Sequence, residues 1–251
     1  MILRTFILKE VRTLLYVGAH PDDEVFFAGG TLAKYVEEGA GVSIVCATRG
    51  ERGSTSDLCS IDELPKVREA ELISAMQVLG INDVHFLPYE DQKLSKAPPD
   101  EIRRHLVGLI RQIKPQIVVT FDPQGANQHT DHMAISLFTS DAVPAAADSR
   151  FFPELGPAHL VERLLWHPTI LFRVPEEVDL PSYPGIDFLL DVSRWRDKKA
   201  DAIRAHRTQL PGLGKLFFEK PKGRRTFCRE AFRLAYGPRP QSVPADDLFA
   251  H

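Results

Sequence analysis

Two clusters of histidine and aspartate carry the chemistry of this sequence. The first is His20, Asp22, Asp23 and Glu24 within "GAHPDDEVFFAGG", which begins at Gly18 directly after the apolar run Leu14-Leu15-Tyr16-Val17. The second is His129, Asp131 and His132, at the end of a stretch that opens with Asp122-Pro123. Three adjacent carboxylates repel one another and add nothing to packing, so a positive charge belongs beside them. Neutral imidazoles and carboxylates are donors for divalent metals, and a catalytic zinc centre uses three such ligands with a fourth position left open. Zinc brings the pKa of bound water close to neutral, and a carboxylate beside the metal but not bound to it can take that water's proton. The competing reading is that Asp22, Asp23 and Glu24 only cap and charge a helix starting near Val25. That reading accounts for the first cluster and leaves the second unexplained. A dinucleotide site is excluded, because Gly29-Gly30 comes too late and lacks the GxGxxG spacing.

The elements around the clusters explain how residues so far apart can meet. Thr13–Gly18, Val42–Thr48, Val84–Leu87 and Gln116–Phe121 are short, rich in β-branched or aromatic residues, and bounded by turn residues, as strands are. Between them run helical stripes. One is Ile102, Leu106, Leu109, Ile110 and Ile113, closed by Pro115; another is Leu72, Ala75, Met76 and Leu79, ending at Gly80. Strands alternating with helices imply a parallel sheet covered on both faces. The expected fold is therefore α/β, a Rossmann-like three-layer sandwich with a mostly parallel sheet over about residues 12–150. Both clusters follow expected strands, so they belong at one edge of that sheet, where sites gather in this architecture.

Beyond residue 150 the regularity fades. Thr169–Val174 and Asp187–Val192 read as strands and Ser193–His206 as a charged helix, followed by a loop-rich region with Pro211, Gly212, Gly214, Pro221 and Gly223. Three prolines after Gly237 suggest a poorly ordered tail. The whole chain, 1–251, reads as a single domain in which residues 151–251 are additions to the core. Hydrophobic residues make up 43% and charged residues 26%, with a net charge of −3 and no block of like charges, which argues against nucleic-acid or anionic-membrane partners. No apolar run approaches the roughly 20 residues needed to span a bilayer. Cys46, Cys59 and Cys228 are odd in number and scattered, so neither a disulfide framework nor a CxxC site is expected, and a reduced cytoplasmic setting fits.

The motifs resemble a known family. "AHPDDE" followed by "HTDH" is similar to the PIG-L/LmbE-like zinc-dependent de-N-acetylases, whose motifs read AHPDDE and HPDH. "TRGERG" from Thr48, "REAELISAMQVLGI" from Arg68, Asp91 after a Leu-Pro-Tyr turn, and "KKADAIRAHRTQ" from Lys198 agree in order, so the resemblance covers roughly residues 12 to 210. It implies that His20, Asp23 and His132 hold Zn2+, with another divalent ion such as Fe2+ as the alternative. It further implies that Asp22 is the general base, that His129 supports the oxyanion or protonates the leaving amine, and that Asp131 orients His129. Thr130 stands where the family usually has proline, and a threonine there could cap a helix starting at Asp131.

The function this implies is hydrolytic removal of acetyl from an N-acetylglucosaminyl conjugate, such as a precursor of a low-molecular-weight thiol. The expected partner is a small amino-sugar substrate, and the resemblance leans toward a homo-oligomer. Two rivals remain at this stage: an amidase of a larger sugar-linked amide such as a thiol conjugate, and a noncatalytic metal- or sugar-binding protein. Arg49, Glu51 and Arg52 follow the second strand at the same edge, where they either hydrogen-bond the substrate or form a solvated loop. For Arg68 the choice lies between substrate binding and a surface ion pair. His206 shares a helical face with Trp195, Lys199 and Ala202 and reads as packing. His85, His105, His159, His167 and His251 lack metal-like neighbours and read as structural or surface residues.

Overall fold

A computed structural model describes residues 11–168, 183–220 and 225–250. The first strand, β1 (Thr13–Gly18), buries nearly every side chain, as a central strand of a covered parallel sheet must. It pairs in parallel with β2 (Gly41–Cys46) on one side and β4 (Ile117–Phe121) on the other. β3 (Asp83–Phe86) extends the sheet beyond β2, and β5 (Arg163–His167) adds in parallel beyond β4. Two further strands, β6 (Phe188–Asp191) and β7 (Arg229–Tyr236), complete the order β3-β2-β1-β4-β5-β7-β6. β7 runs antiparallel to both of its neighbours.

Alternation along β1 splits the core between the two faces. Leu14 and Tyr16 face one cluster, beneath α1 (Asp23–Glu37), α2 (Leu64–Leu79) and α6 (Arg196–Ala205). Leu15 and Val17 face the other, beneath α3 (Pro99–Ile113) and α5 (Thr130–Ala147), while α4 (Gly125–Gln128) is a single turn. The period of two in the strands thus supplies both hydrophobic layers of the expected three-layer sandwich. The strand order reverses between β1 and β4, and the loops at their carboxyl ends are the two histidine–aspartate clusters.

Two expectations change in the second half, and a third is not reached. Thr169–Val174 lies outside the described residues, whereas β5 and β7 occupy stretches not expected to be strands. The tail after Gly237 packs against the core instead of standing free. Leu248 is fully buried and its carbonyl accepts a 2.8 Å hydrogen bond from Arg163, while its N–H donates to Tyr35 Oη at 2.7 Å. The prolines break regular structure, but buried Leu248 and Phe249 still anchor the segment. Within the described residues, no helix is long and apolar enough to cross a membrane.

Candidate active site

The loop from β1 to α1 holds its shape through Asp23. One carboxylate oxygen accepts the backbone N–H groups of Ala19 and His20 at 2.9 and 2.8 Å, tying the turn together. The other lies 3.2 Å from His132 Nε2. His132 arrives from α5, 112 positions along the chain from His20, and its Nε2 is 3.2 Å from His20 Nδ1. His20 Nδ1 is in turn 3.7 Å from Asp23 Oδ2. The structure therefore brings His20, Asp23 and His132 together, all buried.

The tautomers follow from what lies behind each ring. His132 Nδ1 faces the Gly125 carbonyl at 3.2 Å, so its proton belongs there and Nε2 is a bare lone pair. His20 Nε2 faces carboxylate oxygens of Asp91 and Asp131 at 3.1 and 3.2 Å, which places the proton on Nε2 and the lone pair on Nδ1. His20 Nδ1 and His132 Nε2 thus lie 3.2 Å apart, with the Asp23 carboxylate 3.2 Å from His132 through Oδ1 and 3.7 Å from His20 through Oδ2. A tetrahedral ion with bonds of about 2.0–2.2 Å spaces its ligand atoms roughly 3.3–3.5 Å apart, so this set fits a divalent ion in donor type and spacing. His129 is close as well: its nitrogen lies within 4.8 Å of ligand atoms of His20 and His132. Burial disfavours a charged His20, but hydrogen bonds to Asp131 and Asp91 and the nearby Asp23 outweigh it and push the pKa up to about 10, so without a metal the ring holds a second proton and Nδ1 becomes a ligand as a cation displaces that proton. The pocket is thus built to stabilise a cation. Asp23 is held well below the usual carboxylate range, since the two histidines overcome the cost of its burial.

The three consecutive acids have three separate partners. Asp23 faces His132; Asp22 Oδ2 accepts from Arg68 Nη2 at 3.1 Å; Glu24 Oε1 lies 3.3 Å from His206 Nε2. Asp22 occupies the N-cap position of α1 but makes no side-chain cap, so the helix-capping reading fails for it. Its φ of 130° is a conformation non-glycine residues rarely adopt, at a cost of about 1–3 kcal/mol. Burial raises the Asp22 pKa to about 6, opposed by Arg68 and reinforced by Asp23. A carboxyl poised there suits a general base near neutral pH.

The second cluster is rearranged relative to expectation. His129, not Thr130, caps α5: its Nδ1 accepts the Asp131 N–H at 3.2 Å. Thr130 sits at the first helical position, where proline is favoured because no N–H bond is required, so threonine substitutes without displacing His132. The contact between Asp131 and His129 is through the Asp131 backbone. The Asp131 carboxylate instead faces His20 and accepts the N–H groups of Gln92 and Leu94 at 2.6 and 3.2 Å. Burial and the neighbouring His20 and His132 lower the His129 pKa.

The arginines are engaged within the protein. Arg68 is buried, donating to the carbonyls of Pro21 at 2.6 Å and Gly50 at 2.9 Å as well as to Asp22. It is neither a surface ion pair nor open to solvent. Gly50, at φ 63°, leaves room for it, since a Cβ there would lie 2.0 Å from Arg68 Nη1. Arg49 bonds Glu69 at 2.7 Å, and exposed Arg52 bonds Glu90 at 2.5 Å, so the β2 loop is a braced polar rim. Asp91 is a site residue to which the motifs assign no role. It lies on His20 Nε2 and accepts the Arg52 N–H at 3.0 Å. Its place after the third strand, at the same sheet edge, is the signal in the sequence that points to it.

A family model described as GlcNAc-PI de-N-acetylase, PIG-L, matches residues 15–143. The chain is 33% identical over 286 residues to the 1D-myo-inositol 2-acetamido-2-deoxy-alpha-D-glucopyranoside deacetylase of Geodermatophilus obscurus, covering 95% of this chain and 97% of that protein. The protein of the same name from Kribbella flavida is 30% identical, with 96% of each chain covered. Among solved structures, the conserved protein TT1542 from Thermus thermophilus superposes with a TM-score of 0.72 at 28% identity, over 93% of this chain and 98% of that one. The motifs, the sheet-edge site and this full-length similarity agree: the chain belongs to the PIG-L family of de-N-acetylases.

Proposed function

We propose that this hydrolytic N-deacetylase removes acetyl from the N-acetylglucosamine unit of an inositol conjugate, releasing acetate and a free amine. The observation that carries the chemistry is the mutual approach of His20 Nδ1, His132 Nε2 and the Asp23 carboxylate, next in sequence to Asp22, whose buried carboxylate is paired with Arg68 instead. The substrate class is supported by the relatives' names, which specify an acetamido-glucopyranosyl inositol. His20, Asp23 and His132 would hold the metal, with zinc as our choice from the two-histidine, one-carboxylate donor set and Fe2+ as the alternative. When bound, the ion supplies Lewis acidity, lowering the pKa of water to near neutral and polarising the acetyl carbonyl.

The residues of the chain do the rest. Asp22 takes a proton from the attacking water as the water oxygen bonds the carbonyl carbon. His129 accepts at Nδ1, so its proton sits on Nε2, where it can donate a hydrogen bond to the developing oxyanion. Its lowered pKa keeps it neutral, which favours this role over protonation of the amine. Asp22 then returns its proton to the nitrogen as the C–N bond breaks, and acetate leaves. Asp91 and Asp131 hold His20 in the tautomer with Nδ1 free. The free cysteines Cys46, Cys59 and Cys228 fit a reduced, cytoplasmic setting.

The test is acetate and amine release by zinc-loaded protein from N-acetylglucosaminyl inositol, free N-acetylglucosamine and a sugar-linked amide bearing a larger acyl group. Preference for the first supports the reading. Release of the larger acid alone would replace it with the amidase reading, and metal binding without turnover would replace it with a noncatalytic one. Elemental analysis should find about one divalent ion per chain. Undiminished metal in His132→Ala would remove that residue from the ligand set.

A further inference from the structure

Residues His206–Gln209 lie beyond the two clusters, yet three of their side chains reach toward the catalytic turn and the elements around it. His206 is fully buried at the end of α6, with Nε2 3.3 Å from Glu24 Oε1. The other oxygen of Glu24 accepts the Asp22 N–H at 3.3 Å. Thr208 donates its N–H and hydroxyl to Glu71 of α2 at 2.8 and 2.7 Å, on the helix that carries Arg68. Gln209 Nε2 donates to the Ser54 carbonyl at 2.8 Å, and Ser56 Oγ to the Thr208 carbonyl at 2.5 Å. The segment therefore braces the loop after β2, the helix bearing Arg68 and the turn bearing Asp22.

We propose that His206 is a positioning residue for Asp22, acting through Glu24. The need for such a brace is visible at Asp22, whose backbone is strained and whose side chain gains nothing from helix capping. Arg68 fixes the carboxylate of Asp22 from one side, and Glu24 fixes its backbone N–H from the other. Glu24 is a buried carboxylate on a helix whose own first turn already carries Asp23, so it requires a cationic or hydrogen-bonding neighbour to keep it in place. The imidazole of His206 is that neighbour, delivered by a helix from the far end of the chain. Among the described residues, Glu24 Oε1 and both ring nitrogens of His206 have no hydrogen-bond partner, so the 3.3 Å approach, in ion-pair range and not in hydrogen-bond geometry, is the polar contact that each makes. Losing it frees Glu24 to rotate and lets the Asp22 turn relax away from the geometry needed to meet the water.

This inference rests on the reading of Asp22 as general base, and the experiment separates the two. Zinc content, KM and kcat would be measured for His206→Phe, His206→Gln, Glu24→Ala and Asp22→Asn. His206→Phe should keep its metal and a near-parental KM while kcat falls roughly 10–100-fold, the effect of a small misplacement of a catalytic group. His206→Gln, whose amide keeps a polar group beside Glu24, should recover most of that loss. A role limited to packing gives the opposite order, with apolar phenylalanine tolerated and polar glutamine worse, and that result overturns the proposal. If His206→Phe does not fold, Glu24→Ala decides the matter: unchanged kcat at full metal content overturns the proposal. An inactive Asp22→Asn alongside a fully active His206→Phe would sink the positioning role alone. A fully active Asp22→Asn would sink the general-base reading first.

Discussion

Arg68 Nη2 lies 3.1 Å from Asp22 Oδ2, with both side chains buried, so the Asp22 carboxylate is oriented by an arginine from α2 and not by its own helix. The same guanidinium grips the carbonyls of Pro21 and Gly50. Arg68→Met should therefore lower kcat and stability together, because removing one partner of a buried pair costs about 3–5 kcal/mol. Arg68→Lys should recover only part, since an ammonium cannot reproduce the planar fork. Thermal unfolding and turnover of the two variants check this, and a parental melting temperature in Arg68→Met would mean that Asp22 needs no counter-charge.

Adjacent aspartates should fail in different ways. Asp22→Asn should keep its metal and lose roughly 10²–10⁴-fold in kcat, the usual contribution of a positioned base. Asp23→Asn should weaken metal binding, and excess zinc should partly restore its activity. Titrating zinc into both variants while following acetate release distinguishes them. A reversed rescue pattern would exchange their roles.

His129→Ala should retain the metal and lose about 10²–10³-fold in kcat, as enzymes do on losing one oxyanion donor. Metal analysis and steady-state kinetics decide it. Near-normal turnover with full metal would leave His129 without the assigned role.

Lys199 and Glu230 form a fully buried ion pair at 2.6 Å, and they explain Gly29-Gly30 in α1. The carboxylate accepts the N–H groups of Gly30 and Thr31 at 2.9 and 2.7 Å, and a Cβ on Gly30 would lie 2.6 Å from that of Val192. Lys199→Met should cost about 3–5 kcal/mol by leaving Glu230 uncompensated. Adding Glu230→Gln should return part of it. Urea unfolding of the single and double variants measures the difference, and additive losses would contradict direct coupling.

Acid should destabilise the fold partly through His167, which stacks on Phe27 and bonds Tyr16 Oη at 3.1 Å. Burial lowers its pKa from 6.5 to about 3, despite the nearby Asp23. Between those values the unfolded chain binds a proton that the folded protein refuses. Stability is therefore undiminished by this group above about pH 6.5 and falls as pH drops toward 3. His167→Gln, which keeps a partner for Tyr16, should flatten that slope. Urea midpoints at about pH 7.5 and about pH 5 for the two proteins test it, and equal slopes would assign the acid sensitivity to other groups.

The sequence by itself determined the sheet edge and the cast of the site. Apolar strand runs ending in turn residues, with helical stripes between them, specified the parallel core from β1 to β4, and both clusters fell at strand ends. These signals are local, because strand and helix periodicities are written in neighbouring residues. The antiparallel β7 and the seated tail were not legible, since their pairing depends on partners far along the chain, as in Leu164 with Tyr236 and Arg163 with Pro238 and Leu248. The division of labour among Asp22, Asp23 and Glu24 belongs to the same class. Three adjacent acids look alike in sequence, and only the tertiary structure assigned them to Arg68, His132 and His206. So too for Asp131, whose carboxylate faces His20 where the family resemblance had assigned it to His129. A side chain's chemistry is set by its residue type, but its partner is set by which elements the packed sheet brings alongside it, and in this site those elements come from nearly the whole length of the chain.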